Sequence, residues 1–534
     1  MIALILFLSL WLGLLCSQNF FIFIPLIILF FVFVWKRFSN RKFSTLYFVL
    51  TLLGLGLSFV TISTNRTEIK GIVIESKENY YIFDSFGERF YVHEKANDKE
   101  IGDWLIINGG QEKLNFVTLE SEFDFGHYLN CRGVYKQFNV YSEKTTFKNF
   151  LRIKKVRNNF LAHFDSNTKD LYSSILFSTS IDGDLTNSLR NINISRLISF
   201  GGIYIYAFIK ILENLFSKFC KEKTASIIST CILGFYCIFT FPRFTPIKIL
   251  TIRTFRLVNK YKLNNKFSNA SIIGITGIFF LLLNARLAKQ DAFILGYLIP
   301  INNIFTNALF IKTKGIKKKI FSLTWLYFFF LPFELSYNHS TNIISFFIQI
   351  IISPIFILSA FIGFLCFFKL PLYPIANGFT KIIVFISKIL NFVTFSVNIP
   401  QLSAFFIVFY YACYYVLMYY SQVKFLPITN FLKITYTMVL SIYILPIKNA
   451  ITQEVSFINV GQGDCCLIRD GNTTVLIDTG GLTYKDLATS SLVPYFKSKR
   501  LYNIDLVILT HDDFDHSGAL ESLKEHFSVK NVVT

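Results

Sequence analysis

Charge is what this sequence has least of. Only 16% of its 534 residues are charged, against about 25% in a typical soluble domain. Hydrophobic residues make up 53%, including 63 Phe and 27 Tyr. A cysteine framework is missing too. Six of the nine Cys (Cys16, Cys220, Cys231, Cys237, Cys366 and Cys413) lie in or beside apolar segments, where Cys acts as a small hydrophobe. Cys131 stands alone in a polar segment, and Cys465 and Cys466 are adjacent and not spaced as CxxC. No disulfide scaffold follows from that pattern. No basic stretch precedes the apolar run Met1–Leu15, so it reads as a span and not as a cleaved signal. These absences exclude a cytosolic protein, a small secreted domain and a disordered chain. Repeated apolar runs reach the roughly 18 residues that suit a bilayer. The chain reads as a polytopic α-helical membrane protein with soluble insertions, multi-pass in the cell membrane and in contact with its lipids.

The formal charge of +20 is unevenly distributed. Residues 64–165 hold 15 basic and 15 acidic residues, and the tail from 447 holds 8 basic and 11 acidic. The remainder carries 30 basic against 7 acidic residues, part of which is the Lys and Arg excess of cytoplasmic loops. Four regions follow: N-terminal transmembrane helices over 1–63, a β domain over 64–165, a transmembrane bundle over 166–447 and an α/β module over 448–534. In the second, short alternating runs separated by Asn, Gly and charge, such as Lys70–Glu75 and Arg89–His93, predict a small β-barrel or sandwich. The cluster Lys36, Arg37, Arg41 and Lys42 marks a cytoplasmic turn, which places that domain outside the cell.

The loops Lys218–Lys223 and Lys312–Lys319 are the best cytoplasmic markers in the bundle. An even number of crossings must then separate them. Ala225–Phe241, Ile272–Leu283 and Ala292–Ile311 supply three, so Phe244–Asn259 must supply the fourth. That segment and the residue after it carry Lys248, Arg253, Arg256 and Lys260. At about 100° per residue the four fall on one stripe of about 140°. Two readings stand: an amphipathic helix on the membrane surface with its basic side towards headgroups, or the lining of a pathway for a polyanion.

The tail carries the chemical signal. Val455–Val460 reads as a strand leading to Gly461, Gln462, Gly463 and Asp464. A second strand and a hairpin turn at Gly471-Asn472 follow, and Thr474–Ile477 leads into Asp478, Thr479, Gly480 and Gly481. A helix is expected near Leu487–Lys497, and Asp505–Leu509 reads as a buried strand ending at Thr510, His511, Asp512, Asp513, Phe514, Asp515 and His516. His511, Asp513, Asp515 and His516 gather imidazoles and carboxylates on one loop, a donor set suited to divalent metals such as Zn or Mn. A chance match would instead be a solvated acidic helix start. His526 reads as a helix-surface residue.

Taken together, Val455–Asp464, Leu476–Gly480 and the Thr510–Gly518 motif resemble the metallo-β-lactamase-fold domain of ComEC-type competence proteins. The resemblance extends upstream through Phe123–Leu129 with Arg132 and Gly133, through Leu283-Asn284 with Asp291–Phe293, and through Asn342 with Pro354. It implies an extracellular OB-like β-barrel, a channel bundle that admits single-stranded DNA during natural transformation, and a hydrolase that degrades the other strand. A DNA receptor and a cytoplasmic translocation motor would be partners. Carried over, His511, Asp513, Asp515 and His516 would be metal ligands, with two divalent ions in a complete domain. Asp515, Asp464 and Asp478 would be the catalytic carboxylates, Asp464 and Asp478 at strand ends bordering the site.

The sequence departs from that pattern in three places. Asn459 stands where Asp is usual, and Tyr204 replaces a His in Phe200-Gly201-Gly202-Ile203-Tyr204. The further His and Asp ligands that normally follow the motif do not occur before Thr534. The tail is therefore expected to be a partial metallo-β-lactamase-like domain, in a fragment or a truncated product. The alternatives are a membrane-anchored metallohydrolase with another substrate and an inactive, transporter-like remnant.

Overall fold

In a computed structural model the described residues are mostly helical, with a closed barrel, a five-stranded open sheet and a two-stranded ribbon. The structure describes residues 2–177, 201–309, 315–400 and 452–534, apart from 19, 38–40, 60–63, 78, 95–98, 115, 117–121, 241–242, 343–344, 394–395 and 484. It also describes scattered positions within 185–194 and 402–414. Phe200, the start of the 312–319 loop, the apolar stretch 415–445 and the boundary at 447 lie outside the described residues.

The apolar runs fold as the helices expected of them. Ile2–Cys16, Phe20–Arg37 and Arg41–Ser58 come first. The first and third meet backbone to backbone at Gly13 and Gly54, where a Cβ would overlap the carbonyl oxygens of Thr51 and Leu10. Helix Asn269–Leu283 closes on Ile2–Cys16 in the same way, with Gly274 against the Ala3 backbone and Gly277 against the Phe7 ring. Small residues at such crossings suit helices that share an apolar solvent and must associate by close packing. The remaining long helices are Gly201–Phe216, Glu222–Thr240, Phe244–Tyr261, Asp291–Leu309, Gly315–Asn338, Ser345–Phe367 and Tyr373–Val393. Among the described residues, three helical stretches are long and apolar enough to cross a membrane: Glu222–Thr240, Phe347–Phe367 and Tyr373–Leu390.

The barrel is built from β1 (Glu68–Ser76), β2 (Tyr81–Ser85), β3 (Glu88–Val92), β4 (Trp104–Lys113) and β5 (Val134–Phe147), closed in the order β1-β2-β3-β5-β4. Alternating side chains, among them Ile69, Val73, Phe83, Phe90, Leu105, Ile107 and Phe138, fill its core. Closure needs the strands to bend sharply. The pairing of β4 with β5 shifts between Asn108 and Gly109, and a Cβ on Gly109 would overlap the Asn139 carbonyl oxygen.

A short ribbon joins β6 (Ser340–Asn342) to β7 (Ser396–Asn398) in antiparallel register. The chain therefore leaves into helices Ser345–Phe367 and Tyr373–Val393 and returns to the point it left. The tail sheet contains β8 (Gln453–Phe457), β9 (Cys466–Asp470), β10 (Thr473–Ile477), β11 (Asn503–Ile508) and β12 (Ser528–Val533), in the order β12-β11-β10-β9-β8. The first three strands pair antiparallel, and β10, β11 and β12 pair parallel. One face is covered by a core that includes Leu467, Leu476, Leu492, Phe496, Ile504, Val507 and Leu523. The helix expected over Leu487–Lys497 divides into a π turn, Ala488–Leu492, and helix Val493–Ser498. Pro494, which has no N–H to continue the upstream ladder, sits in the first turn of the second piece.

Candidate functional site

The loops at the ends of β10 and β11 meet. Asp478 follows β10 directly and holds a left-handed backbone, φ 55°, which is strained for a residue other than Gly. That conformation turns its buried carboxylate towards the residues after β11. Oδ1 accepts from the Thr510 backbone N–H at 2.8 Å, and Oδ2 accepts from the Thr510 hydroxyl at 2.7 Å and contacts His516 Nδ1 at 2.9 Å. Burial alone would raise the Asp478 pKa, but these hydrogen bonds outweigh it and hold the carboxyl below its usual range. The same contact holds the His516 imidazole above its ordinary pKa, with the charges of Asp515 and Asp464 adding to the effect.

Two glycine loops make the approach possible. Gly463 (φ 77°) and Gly481 press against the backbone of the 513–518 segment, and a Cβ on either would overlap the carbonyl oxygen of Asp515 or Phe514. The Thr479 N–H donates to the His516 carbonyl at 2.7 Å, and the Ala519 N–H donates to the Gly480 carbonyl at 2.9 Å. Helix Phe514–Ser517 is thus fixed against both loops.

Proton inventory sets the tautomers. The Thr510 hydroxyl has one hydrogen, and it goes to Asp478. His511 Nδ1, at 2.9 Å from the same hydroxyl oxygen, must then be the donor in that contact. His516 Nδ1 donates to Asp478 in the same way. When neutral, both rings present a free Nε2 lone pair. His511 Nε2 faces Asp513 Oδ2 at 3.5 Å, and His516 Nε2 faces Asp515 Oδ2 at 3.8 Å. The two ring centroids are 3.8 Å apart. Imidazoles whose other nitrogen is anchored by a hydroxyl or carboxylate are oriented as metal ligands are. The donors nevertheless stand as two neighbouring pairs: no group of three or more His, Cys, Asp or Glu among the described residues is arranged to hold an ion. In kind and in tautomer the residues fit a divalent metal. Asp464 is exposed on the loop before β9, close enough for its charge to act on His516. Thr510, which ties Asp478 to His511, is the residue that sequence reasoning passes over. Its place as the first residue of the Thr510–Gly518 motif, just after β11, is the available signal.

Residues 458–534 match the metallo-beta-lactamase superfamily. Over 94 residues the chain is 37% identical to ComE operon protein 3 of Bacillus subtilis (strain 168). The tail therefore carries a metallo-β-lactamase-type sequence, and the chain is similar over a short stretch to a competence-operon protein. The similarity to that relative covers 15% of this chain and 12% of the relative's own length. No solved structure matches significantly.

Among the described residues, polar contacts tie the metallo-β-lactamase domain to Asn398 and to Glu122. The Asn398 side chain donates to the Leu501 carbonyl at 2.6 Å, and its backbone N–H donates to the Tyr502 hydroxyl at 3.1 Å. Lys485 forms an ion pair with Glu122, which precedes the short helix Phe125–Cys131 of the barrel domain.

The basic stripe of Phe244–Tyr261 is divided among separate partners. Lys248 is buried and donates to the Gly296 carbonyl at 2.7 Å. Arg253 donates to Ser229 Oγ at 2.7 Å and Thr230 Oγ1 at 2.8 Å and pairs with Glu213 at 3.3 Å. Lys260 pairs with Glu222 at 2.7 Å on the surface. Arg256 is exposed and has no hydrogen bond or ion pair among the described residues.

Proposed function

We propose that the chain is a multi-pass membrane protein that passes single-stranded DNA into the cell during natural transformation, with the metallo-β-lactamase domain hydrolysing nucleic acid. The observation that carries the reading is the Asp478–Thr510–His516 network beside His511, Asp513 and Asp515, in a domain of a metal-using superfamily within a ComEC-type chain. His511, Asp513, Asp515 and His516 would hold the metal. When bound, a divalent ion there would supply Lewis-acid polarisation of a phosphoryl oxygen. Asp478 keeps both imidazoles in the ligating tautomer, directly for His516 and through Thr510 for His511. Asp464 borders the site as a further carboxylate.

Sidedness supports a joint role for the two soluble parts. The β6–β7 pairing returns the chain to the side from which it entered Ser345–Phe367, and Asn398 then holds the metallo-β-lactamase domain beside that ribbon. Its Lys485–Glu122 pair puts it with the barrel. Both would face the outside, and a DNA receptor would deliver the duplex there. Of the basic stripe, Arg256 is the residue left for a passing phosphate, while Lys248, Arg253 and Lys260 have structural partners.

The test is uptake of end-labelled duplex DNA by otherwise competent cells. Disruption of the gene is expected to abolish entry, and unchanged entry would refute the reading. A chain with Asp478→Asn and His516→Gln should still admit one strand while releasing less acid-soluble label from the other. Metal content of the purified protein, measured by emission spectroscopy, should fall in the same variant.

A further inference from the structure

Where the barrel meets the helix ends, four cations converge from four different segments. Lys77 lies in the β1–β2 turn, Arg132 follows helix Phe125–Cys131, Arg157 belongs to helix Ile153–Leu161, and Arg243 is the N-cap residue of Phe244–Tyr261. All four are half-buried. Each of the other three acts electrostatically on Lys77, and Arg243 acts on Arg157. Glu75 is the carboxylate that acts on Lys77, Arg157 and Arg243 together. It is already paired with Arg132. Glu100, near Arg157, is spent on the backbone N–H groups of Lys154 and Lys155, at 2.8 and 3.1 Å. Among the described residues, the cations therefore outnumber the carboxylates that act on them.

Two of the cations have fixed structural duties. Arg157 Nε donates to the Phe239 carbonyl at 2.7 Å, and the Arg132 guanidinium lies 4.1 Å above the Tyr128 ring. The other two do not: among the described residues neither the Lys77 ammonium nor the Arg243 side chain has a hydrogen bond or ion pair. Arg243 makes no side-chain cap hydrogen bond at the start of its 18-residue helix. Burial lowers the Lys77 pKa, and the three arginines add to that against the pull of Glu75.

We propose that Lys77 and Arg243, supported by Arg132 and Arg157, form a binding site for a phosphodiester of single-stranded nucleic acid at the junction of barrel and bundle. Aromatic faces beside the cations favour a strand over a lipid headgroup. Tyr128, under Arg132, stacks on Phe125 at 5.9 Å, and Phe123, which is 63% exposed, packs against Tyr128 at 5.4 Å. Cations interleaved with aromatic rings suit a backbone with bases to stack. Three of the four cations, Lys77, Arg132 and Arg157, also lie within the 64–165 region that carries the barrel, and not in the bundle.

This site rests on the DNA reading above, and the experiment separates the two. The full chain in phosphatidylcholine nanodiscs is titrated with fluorescein-labelled oligothymidylate over a salt series. Loss of two phosphate contacts flattens the log–log salt slope by about 1.4 and weakens binding about tenfold near 0.15 M salt. Lys77→Gln with Arg243→Gln should show both effects, Lys77→Gln alone roughly half, and Arg243→Lys should bind close to wild type. A wild-type chain that does not bind the oligonucleotide refutes the DNA reading. Wild-type binding with an unchanged slope in the double variant refutes this site alone. In nanodiscs containing phosphatidylglycerol, native mass spectrometry provides the lipid arm: a variant that loses retained anionic lipid but keeps its DNA affinity assigns the cations to a headgroup and overturns the proposal.

Discussion

The Lys248 amine offers the sharpest test of whether the basic stripe is structure or pathway. Pro300 lies inside helix Asp291–Leu309 and has no N–H. The carbonyl four residues earlier, that of Gly296, therefore loses its partner within the helix. Lys248 Nζ occupies that vacancy at 2.7 Å, and Gly296 lets it in, since a Cβ there would stand 3.0 Å from Nζ. Replacing Lys248 with Met keeps most of the apolar stem but leaves the carbonyl unsatisfied, at a cost of about 1–3 kcal/mol. Replacing Pro300 with Ala restores an N–H that can bond Gly296 by itself. In the double variant the penalty should largely vanish, a coupling of at least about 1 kcal/mol between the two positions.

Thermal unfolding of the detergent-solubilised chain reads the stability arm, and DNA uptake by competent cells reads the functional one. If Lys248 is a strut, Pro300→Ala rescues both losses in the Lys248→Met background. A Lys248→Met chain that stays fully stable but takes up no DNA, with no rescue by Pro300→Ala, would refute this reasoning and return Lys248 to the pathway.

Thr510→Val removes the hydroxyl donor to Asp478 Oδ2 and the acceptor for His511 Nδ1, keeping the backbone N–H to Oδ1; metal affinity measured by chelator competition should fall about 10–100-fold, and an unchanged affinity means that the network does not orient the ligands. Asp505 has its pKa lowered chiefly by the Lys530 hydrogen bond at 2.6 Å, helped by the Thr474 N–H at 2.8 Å. A depressed carboxylate contributes stability above its unfolded pKa of about 3.9 and loses it as pH falls through its lower folded value, so Asp505→Asn should flatten the acid limb of the metallo-β-lactamase domain's unfolding curve; an identical limb counts against it. Gly463→Ala must place a Cβ on a left-handed backbone against the Asp515 carbonyl, a cost of about 1–2 kcal/mol before any clash. Limited proteolysis should then cut the 513–518 loop faster than in the wild type, and equal protection would show that the two loops do not depend on each other.

Much of this architecture was legible in the sequence because it depends on local periodicity. The apolar runs over Ala225–Phe241, Ile272–Leu283 and Ala292–Ile311 appear as helices Glu222–Thr240, Asn269–Leu283 and Asp291–Leu309. The alternating segments of the barrel appear as strands, and the His511–His516 motif sits where a strand end predicts. Strand β12 is not legible in the sequence. Lys530 and Asn531 interrupt its pattern, and it is specified by parallel pairing with β11, a non-local relation.

What periodicity cannot supply is the identity of a distant partner. On a helical wheel Lys248, Arg253 and Lys260 are equivalent members of one basic stripe. In the folded chain they differ completely, because one meets a carbonyl 48 residues away, one a Glu with two hydroxyls, and one a surface Glu. The same limit applies at the candidate metal site. Asp478 reads as one more acidic residue at a strand end, yet its three hydrogen bonds set the tautomer of both histidines. The cations with the best case for meeting a phosphate, Lys77 and Arg243, lie on no common helix and share no motif. Only the docking of barrel on bundle brings them together, so a charge count along the chain assigns them to separate regions and misses the site.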